Sequence, residues 1–320
     1  MFAYLQETLK RSTRMFVAIA RIMVPVMIIV QLAQHFGLVD LAGRLLGPAM
    51  GLFNLPAEAA IIWATTMLTG VYGGLASLAS LSGSLDLNGA QLSALSAMML
   101  IAHNIPVEQS IVRKAGASFS LTALLRILTA AVYGGAIAWA CHLGGWLTEP
   151  VSLDWLRGSE LIGNDEANAL WTWVQSTAFS LALTFGVIIA LVLSLDLLDK
   201  IGITQRITTL ITPVLRLSGL NARAAPITTV GVLLGLSYGG ALIIEEADRL
   251  GFSARTRFLA LSWLSLSHSL IEDTLLFMAL GANIWVVLVG RLLLTLAVIA
   301  LLARWTLGGG QVPVTAGNPG

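Results

Sequence analysis

The chain has 320 residues, of which 57% are apolar and 11% charged, with a net charge of +1 and a mean hydropathy of +0.85. Soluble domains carry about 25% charged residues, so this chain has too little polar surface to cover a water-facing globule, and lipid must solvate much of it. The near-neutral balance gives no electrostatic basis for nucleic-acid binding, and the lone cysteine, Cys141, excludes an internal disulfide and a thiolate metal cluster.

The first long apolar run covers 15–34. It holds Arg21 and Pro25 and lacks a small-residue cleavage site, so it reads as a retained membrane helix rather than a signal peptide. Residues 38–52 are amphipathic, carry Arg44, and are too short to span, which predicts an interfacial helix. The segment 57–83 is cut by Gly70-Val71-Tyr72-Gly73-Gly74. Its arms are roughly a dozen residues or fewer, whereas a spanning helix needs about 20. This predicts a re-entrant hairpin whose tip faces protein or water. Apolar helices over 90–105 and 118–143 complete this unit, and a polar, acidic linker covers 146–165. The same order of parts follows: an apolar helix at 171–195, an amphipathic segment at 203–217 with Arg206, and an apolar segment at 222–248 cut by Gly235-Leu236-Ser237-Tyr238-Gly239-Gly240. Helices at 258–280 and 284–303 close the second unit, and the tail 307–320 reads as disordered.

The likeness of the two halves extends to individual residues. At an offset of 165, Gly37 meets Gly202, Pro48 meets Pro213, Gly70 meets Gly235, His103 meets His268, Gly116 meets Gly281 and Arg126 meets Arg291. A one-residue slip aligns Tyr72-Gly73-Gly74 with Tyr238-Gly239-Gly240. Paired Pro, His and Arg in one register are a stronger signal than Ala or Leu matches in so apolar a chain. The chain therefore divides into repeat one at 1–145, an extracytoplasmic linker at 146–165, and repeat two at 166–306. The expected fold is an all-α membrane protein of two inverted-topology repeats. Each has three spanning helices, an interfacial helix and a re-entrant hairpin. Three crossings per unit send the second unit in from the opposite side, and basic residues support this. Lys10, Arg11 and Arg14 mark the N-terminus as cytoplasmic. Repeat one has Arg44 with Asp40 and Glu58 after its first helix, where repeat two has Lys200, Arg206, Arg216 and Arg223. Arg304 places the C-terminus inside as well. The localisation expected is a bacterial-type inner membrane, multi-pass.

Inverted repeats with broken helices are the common build of secondary transporters, with solute bound near the midplane where backbone groups are exposed. The candidate solute-binding residues are those at the breaks: Tyr72, Gly73 and Gly74 at one hairpin tip and Tyr238, Gly239 and Gly240 at the other. Glycines there, including Gly70 and Gly235, permit positive φ and close approach of a ligand, or close helix packing. A second pair of breaks reads Ala102-His103-Asn104-Ile105-Pro106 and Ser267-His268-Ser269, with Pro106 able to unwind the first of them. His103, Asn104, His268 and Ser269 join the candidate site. Glu108 aligns with Asp273, and ionisable groups at membrane depth are usually functional. Imidazole with carboxylate suits a divalent metal such as iron or zinc, with His103, His268, Glu108 and Asp273 as its ligands. The same groups suit a proton relay that drives uptake of an organic solute. Arg126, Arg291 and Glu272 are candidates for ion pairing or coupling. No Gly-x-x-x-x-Gly-Lys-Ser/Thr loop, Gly-x-Ser-x-Gly elbow or His-Glu-x-x-His pattern occurs, so no enzymatic activity is expected.

This order of parts, with the Tyr-Gly-Gly tips and the His103 and His268 breaks, resembles the Gate-domain superfamily over 15–303. That group includes concentrative nucleoside transporters, the membrane part of the ferrous-iron transporter B family, and spore-maturation membrane proteins. The resemblance implies transport of a small polar solute or ion across the bilayer, and a homodimer or homotrimer. Its spore-maturation members admit an alternative, a non-transporting scaffold that binds a partner protein. The Gln and Glu that nucleoside carriers place at the first hairpin tip, and the Asn-Glu at the second, are absent here. Histidine and carboxylate content inclines the expected cargo toward a divalent, iron-like cation over a nucleoside-like solute.

Overall fold

The computed structural model describes residues 2–156, 169–202, 224–236 and 251–307, together with Arg206, Thr209, Leu210, Pro213, Leu220 and Ile244. Most of the second interfacial segment, the second hairpin beyond Leu236 apart from Ile244, the linker from 157 onward and 308–320 lie outside the described residues. The first half comprises α1 (Phe2–His35), α2 (Leu38–Gly51), α3 (Ala59–Thr69), α4 (Val71–Leu81), α5 (Gly89–Ile101), α6 (Ile105–Lys114) and α7 (Phe119–Gly144). The described helices of the second half are α8 (Ala169–Lys200), α9 (Ala224–Leu234), α10 (Ala254–Leu266), α11 (Glu272–Ala279) and α12 (Arg291–Leu307). A π-helical stretch, Trp285–Gly290, leads into α12. The only β-structure among the described residues is a two-residue pair, β1 (Leu87–Asn88) with β2 (Pro150–Val151).

Five stretches are long and apolar enough to cross a bilayer: Gln6–His35, Gly89–Lys114, Phe119–Gly144, Leu170–Ser194 and Trp285–Thr306. The sixth expected span, 258–280, is instead divided into α10 and α11. Polarity is arranged as lipid requires. On α7, Leu124, Leu128, Val132, Trp139 and Leu143 face outward at helical spacing, with Leu143 80% exposed. The opposite face buries Thr122, Arg126, Thr129 and Tyr133. An exposed apolar stripe over a buried polar one would be unstable in water and is the expected arrangement in hydrocarbon. Helices α5 and α10 are almost wholly buried and form the centre. Asn88 and Gln91 form a capping box that starts α5, and Ser253 caps α10.

The arms α3 and α4 have 11 residues each and meet at Gly70. At about 1.5 Å per residue, neither reaches across a hydrocarbon core of about 30 Å. They pack along each other, Gly74 against Thr66 and Gly73 against Thr69, with no room for a Cβ at either glycine. Gly70 adopts φ 94°, ψ 179°, and Gly235 repeats the positive φ at 107°. Helices α1 and α8, the first of each half, run antiparallel. Arg11 pairs with Asp196 at 3.1 Å, and the Phe16 and Phe185 rings stand 5.0 Å apart. Between the halves, Gly116 lies against Arg257, while Gly281 lies against Leu92. These positions are 165 apart in each case, so the contact is reciprocal, as across a two-fold axis.

Two details differ from the sequence expectation. Helix α1 continues back to Phe2 rather than beginning near residue 15, so Lys10, Arg11 and Arg14 ride on the helix itself. Pro106 does not cause the first central break. It sits in the first turn of α6, where its missing N–H costs nothing, and the second half breaks at the matching place without a proline.

Gly70 occupies a backbone region that is nearly glycine-only, where a side chain costs about 1–3 kcal/mol. Gly70→Ala should therefore lower the thermal unfolding midpoint of the detergent-purified protein by several degrees. Gly186→Ala, in mid-helix with open space around it, should leave it unchanged or raise it slightly.

Candidate functional site

The breaks between α5 and α6 and between α10 and α11 share one local design. Ala102 and Ser267 are the last residues to bond back into their helices, onto Met98 O and Trp263 O. Two residues further on, Asn104 turns left-handed at φ 47° and Ser269 at φ 49°. A left-handed residue is uncommon outside glycine and costs energy wherever it occurs. Each break leaves carbonyls at a helix end without partners, inside a region that excludes water. A buried arginine supplies the donors. Arg126 donates Nε to Ile101 O and Nη2 to His103 O, both at 2.8 Å. Arg291 donates Nε to Leu266 O at 3.0 Å and Nη2 to His268 O and Leu100 O at 3.2 Å. Both guanidiniums have no solvent exposure.

The breaks point His103 and His268 at each other. Their Nε2 atoms are 2.9 Å apart. Glu108 Oε1 lies 3.2 Å from His103 Nε2 and 3.3 Å from His268 Nε2, and its Oε2 accepts from Arg126 Nη1 at 2.6 Å. All three side chains are buried. The tautomers follow from the other ring nitrogens. His103 Nδ1 faces Met99 O and Leu100 O at 3.1 Å, and His268 Nδ1 faces Leu264 O at 2.6 Å. Carbonyls only accept, so each Nδ1 carries its hydrogen and each neutral imidazole presents a bare Nε2. Two ring nitrogens and a carboxylate oxygen then converge, and they repel unless a positive charge, either a metal ion or a proton held on one Nε2, lies among them. The spacing admits a metal ion. For ligand bonds of about 2.0–2.1 Å, donor–donor edges in tetrahedral or octahedral sites are about 2.8–3.4 Å. Donation of the second ring N–H to a backbone carbonyl is the usual support of a metal-binding histidine. His103, Glu108 and His268 are therefore a group competent to hold a divalent metal.

The triad forms one wall of a cavity of about 330 Å³. Gly70, Tyr72 and Asn104 from repeat one line it, with Gly235, Ser269, Glu272 and Asp273 from the second half. Most of the candidates from the sequence thus meet in one place. Gly73 and Gly74 do not line it: they lie in α4, packed on α3, so their role here is close helix approach. Gly70 is the tip residue that faces the cavity. Tyr238, Gly239 and Gly240 lie outside the described residues. Asp273 is not within bonding distance of the triad, and Arg291 is not paired with it: Arg291 Nη1 has no partner among the described residues. Arg126 does form the expected ion pair. The sequence reading missed the reach of Arg126 and Arg291 to the helix-end carbonyls; the signal available was two arginines at one offset from two histidines.

Residues 16–118 match the Gate family, described as nucleoside recognition. The membrane protein YvoD of Bacillus subtilis (strain 168) is 27% identical over 291 residues, which cover 90% of this chain and 91% of that protein. The first half of the chain is thus similar to the Gate family, and most of its length to a bacterial membrane protein. The Gate match takes in Tyr72, His103 and Glu108 and ends before Arg126, whereas the likeness to the Bacillus protein runs through both halves. No solved structure matches the chain.

Removing the Arg126 guanidinium from this site strands a buried carboxylate and two carbonyls. Losing one partner of a buried pair costs about 3–5 kcal/mol. Arg126→Met should therefore unfold at markedly lower temperature than wild type, and adding Glu108→Gln should recover part of the loss in a double-mutant cycle.

Proposed function

We propose that this protein is a Gate-type inner-membrane transporter that moves a small polar solute through the cavity between its halves, with a divalent transition-metal cation as the favoured cargo. The observation that carries this reading is the convergence of three lone pairs, two imidazole Nε2 and one carboxylate oxygen, at 2.9–3.3 Å in a buried wall of a polar cavity. Glu272 and Asp273 add acidic groups on the same cavity and favour a cation further. The cation is cargo rather than a fixed structural ion because the site borders an open space of ligand size. A packed scaffold would have no use for such a cavity.

The membrane arrangement belongs to the same reading. Antiparallel α1 and α8, together with the reciprocal Gly116–Arg257 and Gly281–Leu92 contacts, support inverted-topology repeats with the two-fold axis in the membrane plane. The short arms α3 and α4 support a re-entrant hairpin, with Gly70 at its tip. The N- and C-termini are then cytoplasmic. Labelling tests this directly. Arg14→Cys and Lys200→Cys should react from one face of the membrane and Asp86→Cys from the other; reaction of the first two from opposite faces overturns inversion.

A second reading, a nucleoside-like cargo, is favoured by the Gate description and by Tyr72, whose ring borders the cavity. The cavity volume is at the small end of the range of about 300–1,000 Å³ for organic ligand pockets. Uptake into proteoliposomes separates the two. Radiolabelled iron(II), zinc(II) and manganese(II) should accumulate while uridine and adenosine do not. His103→Ala with His268→Ala should cut metal uptake at least 10-fold. Nucleoside uptake insensitive to the double histidine variant would reverse the choice of cargo.

A further inference from the structure

The two halves share one design at the breaks and differ most at the carboxylate. Ala102 and Ser267, Asn104 and Ser269, Arg126 and Arg291 occupy equivalent places and bond to equivalent atoms. The backbone N–H groups of Glu108 and Asp273 bond to Asn104 O and Ser269 O, so both carboxylates start in the first turn of the helix after the break. Only Glu108 reaches its arginine. Arg291 Nη1, the counterpart of the Arg126 atom that Glu108 holds at 2.6 Å, is fully buried and has no partner among the described residues. An unsatisfied buried donor costs about 1–3 kcal/mol, more when charged. Asp273 instead lies half-buried on the cavity wall.

We propose that Asp273 and Arg291 form a second, mirror-related cation half-site: the His103–His268 pair, near the two-fold relation between the halves, is shared between Glu108 on one side and Asp273 on the other. In the arrangement seen, Glu108 completes the site and Asp273 faces the cavity. In the exchanged arrangement, Asp273 takes the Nη1 hydrogen bond of Arg291 and offers its other oxygen to the cation. The cation passes from one carboxylate to the other while both imidazoles stay on it, so it is never without nitrogen ligands. Exchange between two equivalent half-sites is what an inverted pair of repeats makes available, and two states of similar energy are what a transport cycle requires. The inference rests on the cation reading above and adds a named residue pair to it.

The test uses the full-length protein in detergent and in proteoliposomes, with cobalt(II) as probe. Wild type should bind about one equivalent. Asp273→Asn should bind cobalt within about 3-fold of wild-type affinity, yet transport it at least 10-fold more slowly. Glu108→Gln should weaken binding more than 10-fold. Adding Asp273→Glu, one methylene longer and able to reach Arg291, should restore most of the affinity, whereas adding Asp273→Asn should not. If wild type binds no cobalt, the cation reading fails and this proposal with it. If wild type binds but Asp273→Asn transports normally, the cation reading stands and the second half-site is wrong. The Asp273→Asn result decides the matter even if the double variants fail to fold.

Discussion

A helix interrupted inside a bilayer must find donors for the carbonyls it exposes, and here each of two interrupted helices finds them in one buried guanidinium. Arg126 and Arg291 each bridge the last turn of one helix and the backbone of the histidine beyond it. Arginine suits this task because its planar fork presents several fixed donors and stays charged under all ordinary conditions. Without those donors, α5 and α10 would be driven to continue as regular helices, since lipid supplies nothing to pair with a free carbonyl. The left-handed residues Asn104 and Ser269, and the direction of both histidine rings, depend on the interruption being held open.

The site's chemistry follows from where the broken backbone leaves its acceptors. Carbonyls of the preceding turn occupy Nδ1 of each histidine, which turns Nε2 of both inward as lone pairs. Glu108 adds a third acceptor and is itself oriented by Arg126. The result is a small, buried, electron-rich spot next to a polar cavity, complementary to a compact positive charge. Its environment is otherwise apolar: Met99, Leu100, Leu264 and Leu266 on the same two helices are buried and exclude water. Low dielectric strengthens the attraction for a cation and also the penalty for leaving the acceptors unbalanced.

Glycine sets the other wall. The chain reverses at Gly70 with a backbone conformation that side chains disfavour, and Gly73 and Gly74 let α4 lie directly on α3. A hairpin packed this tightly brings its tip, and Tyr72, up to the histidine breaks. Halves whose equivalent contacts are reciprocal place such features opposite one another. That is why His103 and His268, 165 positions apart, meet with their Nε2 atoms 2.9 Å from each other.

Much of this was legible in the amino-acid order. Composition determined the solvent, because 11% charge cannot cover a globule in water. The 165-residue offset marked His103, His268, Arg126 and Arg291 as a set, and Gly70 with Gly235 as tips, because local interruptions need particular residue types wherever they recur. Periodicity alone could not show the break within 258–280, since the apolar pattern runs through it; the 165-residue offset from the His103 break marked Ser267-His268-Ser269. Nor could it rank Pro106, the visible helix breaker, below Asn104 and Ser269, whose left-handed turns do the breaking. Only the tertiary structure decided which nitrogen of each histidine is free, that Glu108 is bound by its arginine while Asp273 is not, and that Gly73 and Gly74 serve packing. Those outcomes depend on distances between atoms far apart in sequence, which the order of residues does not contain.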